Sequence, residues 1–160
     1  MARYEVMRTP PPVLALVAAL AQRALRRDGR SRTPGRAAVA GAISVASGAL
    51  AATAGRRFVR EGTTLEPVRP ERASVLVTTG ANAISRNPMY VGLTGLLVAN
   101  AVRLGAKRAL IPVAAFTVVI DRLQIKGEES ALLTKFGADY EAYRAAVPRW
   151  LGIRSFARRP

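Results

Sequence analysis

The sequence holds no cysteine and no histidine among its 160 residues. That removes disulfides, thiol nucleophiles, imidazole bases and nearly every zinc or haem site together, so no metal centre is expected. Chemistry is left to carboxylates, arginine, tyrosine, asparagine, backbone groups and a bound cofactor. Acidic residues are scarce, ten against 25 basic ones, for a formal charge of +15. Lysine is nearly absent from that excess, with only Lys107, Lys126 and Lys135. Such a balance attracts polyanions, either nucleic acid or the anionic face of a membrane. Aromatics make up only 6% of the chain and no nucleic-acid-binding motif appears, which leaves nucleic acid without a stacking platform and sets it aside as a partner. The preference for arginine, with heavy alanine and valine usage, points to a GC-rich bacterial genome. No small-residue cleavage pattern follows Met1 to Arg8, so no removable signal peptide is expected.

Half the residues are hydrophobic, and they gather in four stretches. Pro10 to Gln22 opens on three prolines and closes before Arg23. Ala37 to Gly55 carries no charge and sits between Arg36 and Arg56-Arg57. Asn87 to Val102 lies between Arg86 and Arg103, and Ala109 to Ile120 runs into Asp121-Arg122. Basic side chains at the ends of apolar runs suit a bilayer interface, where they snorkel to the headgroups. A span needs about 20 apolar residues, and only the second stretch comes near. The others also fit buried helices of a soluble protein. Ser44, Gly48 and Ala52, at four-residue spacing, are expected to form a face where helices pack closely. Arg103 to Arg108, around Gly105, is short enough to make segments three and four an antiparallel hairpin. Four spans would put 16 basic residues with the C-terminus and nine on the other side, which makes the C-terminal side cytoplasmic. The first loop, rich in arginine, pulls against that, so the opening segment is expected to lie in the interface or re-enter, rather than span.

Between Arg56 and Arg86 runs a long polar loop, of the kind that is often functional. After Ile120 the helix is expected to continue as a polar, amphipathic extension, with Asp121, Gln124 and Glu128 at helical spacing, until Phe136-Gly137 stops it. A short helix then carries Tyr140 and Tyr143 toward Pro148.

Three pieces in this order carry a resemblance: Arg86-Asn87-Pro88-Met89-Tyr90-Val91-Gly92, then Glu128-Glu129, then Phe136 to Tyr143 followed by Val147-Pro148-Arg149-Trp150. A softer match is Gly62-Thr63-Thr64-Leu65-Glu66-Pro67. The chain resembles the isoprenylcysteine carboxyl methyltransferases and phospholipid methyltransferases over roughly residues 56 to 151. It departs from them where Gly80-Ala81-Asn82 replaces a Gly-Pro-Tyr element and Asn87 replaces a histidine. The resemblance implies a single all-α integral membrane domain of about four apolar segments: an N-terminal helical pair over 1–55, and a cofactor-binding core with a cytoplasmic tail over 56–151. It implies an enzyme of the bacterial inner membrane that moves a methyl group from S-adenosylmethionine to a lipid-like acceptor among the membrane lipids. Arg86 and Asn87 take the catalytic positions. Gly62, Thr63, Arg86, Pro88, Tyr90, Gly92, Glu128 and Glu129 face the cofactor. Tyr140, Tyr143, Arg149 and Trp150 form a lid or meet the substrate.

These residue types suit that chemistry. Glu128 and Glu129 accept from hydroxyls or an ammonium, and Arg86 holds a carboxylate in a two-pronged bond. Pro88 stiffens the turn into its helix, and Gly92 lets backbone or ligand approach closely. No structural demand for a second carboxylate is evident at Glu129. Each residue also has a plainer reading. The glutamates would form a solvated face paired with Lys126 or Arg122, the tyrosines would pack the tail, and Arg149-Trp150 would anchor at an interface. Asn100 is expected to make an interhelical hydrogen bond, and Asp121 to mark the membrane exit or pair with a neighbouring arginine. Two other functions stay open: an NADPH-dependent membrane reductase of the sterol type, and an inactive scaffold of the same fold.

Overall fold

Prolines and glycines set most of the helix ends. In the computed structural model, which describes residues 9–26, 33–60, 75–152 and 155, every regular element is helical. Helix α1 (Pro11–Ala24) starts on proline, whose missing N–H would have had no partner in the first turn. Helix α2 (Pro34–Arg60) also opens on proline, with the Arg36 amide donating to Thr33 Oγ1 at 3.4 Å. The single turn α3 (Ala81–Ile84) follows Gly80, which sits at φ 64. Helix α4 (Pro88–Leu104) again has proline in its first turn and stops at Gly105, whose left-handed backbone (φ 65) returns its amide to the Ala101 and Val102 carbonyls. A 3-10 turn over Lys107–Ala109 leads into α5 (Leu110–Val119), so segments three and four form the expected hairpin.

Beyond α5 the structure departs from a regular helix. Ile120–Ile125 widens into a π-helix before α6 (Lys126–Ala146) resumes α geometry. Gly137 breaks α6 at φ 49, the stop expected at Phe136-Gly137, and a second helical stretch continues to Ala146.

Among the described residues two clusters form the core. Ala18, Tyr90, Leu97, Ala101, Leu104, Ala109, Val113, Phe116, Ile120 and Ile125 pack α1 against the hairpin. Tyr140, Tyr143 and Val147 fold the end of α6 back onto Leu76, Leu132, Leu133 and Phe136. Polar links cross the first cluster: the fully buried Gln22 donates to the Leu97 and Ala109 carbonyls, both at 2.9 Å, and accepts from Asn100 at 2.7 Å. Asn100 therefore makes its interhelical bond.

The most extensive helix pairing is α2 on α4, and small residues make it possible. A Cβ on Gly92 would lie 2.7 Å from the Ala51 Cβ and 2.8 Å from the Ser47 carbonyl, and one on Gly95 would collide with the Ser47 side chain. The face of α2 used here holds Ala40, Ser47 and Ala54, all buried, together with Ala51. The expected Ser44-Gly48-Ala52 face is displaced from it, since Gly48 has nothing within 4 Å of its missing Cβ and Ala52 is exposed.

Among the described residues one helical segment, Pro34–Gly55, is long and apolar enough to cross a membrane at 22 residues. Helices α1, α4 and α5, with 14, 17 and 10 residues, are shorter than a full span.

The packing predicts opposite effects of one methyl group. Gly92→Ala should destabilise the purified protein by about 1–3 kcal/mol through overpacking, whereas Gly48→Ala should stabilise it by about 0.5–1 kcal/mol through helix propensity alone. Thermal midpoints of the two variants check this, and equal shifts would contradict the α2–α4 contact.

Candidate functional site

Helix α6 ends at Ala146 with carbonyls that have no helical partner. Arg86 supplies the missing donors. Its Nη1 donates to the Arg144 carbonyl at 3.0 Å and to the Val147 carbonyl at 2.8 Å, and its backbone amide donates to the Pro148 carbonyl at 2.9 Å. The Arg149 carbonyl then accepts from Ser85 Oγ at 2.9 Å and from Asn87 Nδ2 at 3.1 Å. On the other side, the Tyr143 hydroxyl donates to the Asn82 carbonyl at 2.7 Å. The chain from Asn82 to Asn87 is thus stitched to the chain from Tyr143 to Arg149.

Charge tightens the seam. Glu129 Oε1 accepts from Arg86 Nη2 at 2.6 Å and from Arg149 Nε at 3.1 Å, while Oε2 accepts from Arg149 Nη2 at 2.5 Å. The third nitrogen of Arg149 reaches Asp121 at 3.2 Å, and Trp150 Nε1 donates to the same carboxylate at 2.9 Å. Trp150 also packs against the main core. Burial opposes ionisation of Glu129, but the hydrogen bonds from Arg149 and Arg86 outweigh it and hold the carboxyl below its ordinary range. At Asp121 burial is likewise outweighed, by the hydrogen bonds from Trp150 and Arg149.

Glu128 has a different environment. Its Oε1 accepts from the Tyr90 hydroxyl at 2.5 Å and from Gln124 Nε2 at 2.8 Å, and among the described residues its second oxygen takes no hydrogen bond. Gln124 belongs to the π-helix, a widened turn that is frequent at functional sites. Burial pushes the Glu128 carboxyl up to about 7, against the pull of the Tyr90 and Gln124 hydrogen bonds and with a further push from Glu129.

The structure brings together Arg86, Asn87, Tyr90, Glu128, Glu129, Arg149 and Trp150 from three separate stretches of sequence. The partners that each takes are these. The Arg86 terminal nitrogens are taken by Glu129 and the end of α6 instead of standing free for a ligand carboxylate. Glu129 has a structural role after all, since two arginines need its charge. Neither glutamate pairs with Lys126 or Arg122; Arg122 instead lies 3.5 Å from Asp121. Asn87, expected to be catalytic, is buried and spends its side-chain amide on the tail. Gly92 faces α2 and not the carboxylates, and Pro88 is a buried first-turn residue of α4. Tyr140 is only 1% exposed and packs edge-on against Tyr143 at a ring-centroid distance of 6.1 Å, so both tyrosines hold the tail in place. Gly62 and Thr63 lie outside the described residues. Asp121 pairs with Arg149 as well as its neighbour, and with Gln124 it joins the site unannounced; a polar residue just past an apolar run is the signal that marks both.

The chain is similar to an uncharacterized protein of Haemophilus influenzae, with 41% identity over 63 residues that make up 39% of this chain and all of that protein. It belongs to that protein's family. The shared segment is under half of this chain, and the relative's name carries no activity. No family model and no solved structure matches the chain.

Two carboxylates with opposed shifts give a directional prediction. The folded value of Glu128, about 7, exceeds the ordinary 4.5, so its contribution to stability is complete below about pH 4.5 and is lost as pH rises through 7. Between pH 5 and 8 the thermal midpoint of the parent should therefore fall by about 3–8 °C relative to Glu128→Gln. Parallel midpoint curves for the two proteins would contradict this environment for Glu128.

Proposed function

We propose that this chain is a membrane-embedded methyltransferase that uses S-adenosylmethionine and acts on a lipid-like acceptor. In this reading α1, α2, α4 and α5 form a bundle in the bilayer of a bacterial inner membrane, with α6 and the tail on the cytoplasmic side. The observation that carries it is the meeting of Arg86–Tyr90, Glu128–Glu129 and Arg149–Trp150 at one end of the hairpin, with one carboxylate oxygen of Glu128 left over. The exposed apolar side chains of α1 and α5 support the bundle: Leu16, Val17, Leu20, Ile111 and Val118 are each 58–60% exposed.

The unused polar atoms suit the cofactor. Glu128 Oε2 is an acceptor for an ammonium or a ribose hydroxyl, and Arg86 Nε is a buried donor with no acceptor among the described residues. Glu129 is shared by Arg86 and Arg149, and Asp121 by Arg149 and Arg122, so among the described residues Glu128 is the carboxylate of the site that no cation holds. An ionised Glu128 therefore suits the ammonium or the sulfonium of the cofactor. S-adenosylmethionine supplies an activated methyl group on its sulfonium. The residues contribute position: the Arg86–Glu129–Arg149 seam fixes the tail, and the Tyr90 and Gln124 hydrogen bonds fix the Glu128 carboxylate. Alignment alone supplies a large share of the acceleration of a displacement reaction. An acceptor oxygen that is already ionised needs no protein base, in keeping with a chain without histidine.

Positive charge beside Glu128 favours its ionised form, so cofactor binding near pH 7 should release a proton. Calorimetric titration of the purified protein in two buffers of different ionisation enthalpy measures both affinity and proton release. Glu128→Gln should weaken S-adenosylmethionine binding by about ten- to a hundredfold, the worth of a hydrogen bond to a charged group, and abolish the proton release. Binding of NADPH in place of S-adenosylmethionine would instead favour a reductase, and binding of neither an inactive scaffold.

A further inference from the structure

Among the described residues, the opposite end of the helices has no such balance of charge. Arg23 and Arg26 close α1, Arg36 opens α2, Arg103 ends α4, and Lys107 and Arg108 form the hairpin turn. Every described carboxylate lies from Asp121 onward, and none pairs with these cations. Between α1 and α4 is a cleft of about 200 Å³ lined by Arg23, Arg26, Arg103 and Leu104. At about 30 Å³ per water, it has room for a phosphate group and is smaller than the roughly 300–1,000 Å³ of sites that enclose whole drug-sized ligands.

The cleft is held from within. Arg103 Nη2 donates to Asn100 Oδ1 at 2.7 Å, Asn100 donates to Gln22 at 2.7 Å, and the fully buried Gln22 is fixed by two backbone carbonyls. These bonds join α1 to α4 and tie the cleft residue Arg103 to the buried Gln22. One residue past Leu104, the Arg36 guanidinium lies against Gly105, and its Nη1 is buried with no acceptor among the described residues. Leading up to the cleft along α1, Val13, Leu16, Val17 and Leu20 form an exposed apolar stripe at helical spacing, 46–60% exposed, that ends one turn before Arg23.

An apolar stripe that ends at a phosphate-sized arginine cleft has the form of an amphiphile. We propose that the Arg23–Arg26–Arg103 cleft binds the phosphate of an anionic phospholipid whose acyl chain lies along the α1 stripe. The site rests on the membrane-embedded reading above and is separate from the cofactor end. Arginines near helix C-termini also balance the helix dipole, and the test separates that role from lipid binding.

Native mass spectrometry of the detergent-solubilised protein, titrated with phosphatidylglycerol or phosphatidylcholine, counts bound lipid. The parent should bind one phosphatidylglycerol about tenfold or more tightly than phosphatidylcholine, as several basic groups near an anionic headgroup dictate. The double variant Arg23→Gln/Arg26→Gln should lose that preference, while Arg108→Gln, at the same end but outside the cleft, should keep it. Equal binding of both lipids by a parent that inserts into vesicles overturns the lipid site and leaves the embedded reading standing. Failure to insert into vesicles of either composition overturns both. Loss of preference in Arg108→Gln to the same degree means diffuse charge, not a cleft. A lowered thermal midpoint in the double variant with unchanged preference means that the arginines serve only the helix ends. Displacement of the lipid by an equal concentration of inorganic phosphate reassigns the cleft to free anions. Each of these last three also overturns the proposal.

Discussion

The Glu129 carboxylate, gripped by Arg86 43 residues before it and Arg149 20 residues after it, joins three parts of the chain that share no helix. The Arg86 and Glu129 side chains are only 9% and 11% exposed, so their charges are largely removed from water. A buried pair of this kind adds little net stability, yet removing one partner strands the other at a cost of about 3–5 kcal/mol. Here two arginines would be affected at once, and one of them also holds the end of α6. Fixing the tail in this way brings Trp150 onto Asp121 and sets the wall beside which Glu128 stands. The geometry of the candidate site therefore follows from a link whose main contribution is specificity of arrangement.

Adjacent glutamates end up with opposed properties because of what each meets. Glu129 faces cations and stays ionised. Glu128 points between Tyr90 and Gln124, two neutral donors, and titrates near neutrality. The π-helix at Ile120–Ile125 adds backbone between the apolar hairpin and these carboxylates, shifting the facing of the helix at the point where it leaves the core. Among the described residues the two ends then divide the charge: paired and acidic-lined at the tail, basic and without a carboxylate at the Gly105 turn.

Helix positions and the hairpin are legible in the sequence because proline starts and glycine stops act locally, as at Pro88 and Gly105. The meeting of Arg86, the glutamates and Arg149-Trp150 is legible through motif order. Which partner each side chain takes is not. Glu129 looks dispensable to the fold until Arg86 and Arg149 are seen to converge from distant positions. The packing face of α2 is hidden because alanine, glycine and serine surround the helix, leaving no contrast to reveal whether Gly48 or Ser47 points inward. Gln22 is equally obscure: a polar residue at the end of an apolar run reads as a boundary, whereas it is the buried link between α1, α4 and the hairpin turn. A π-helix leaves no mark in a pattern of apolar spacing.

Backbone hydrogen exchange compared between the parent and Glu129→Gln tests most directly whether this carboxylate fastens the tail to the hairpin. Residues 143–150 and 85–88 should lose protection together in the variant, while the α4 core over 97–104 keeps its parental rates. Unchanged protection in both the tail and the turn would contradict the claim that Glu129 holds the site together.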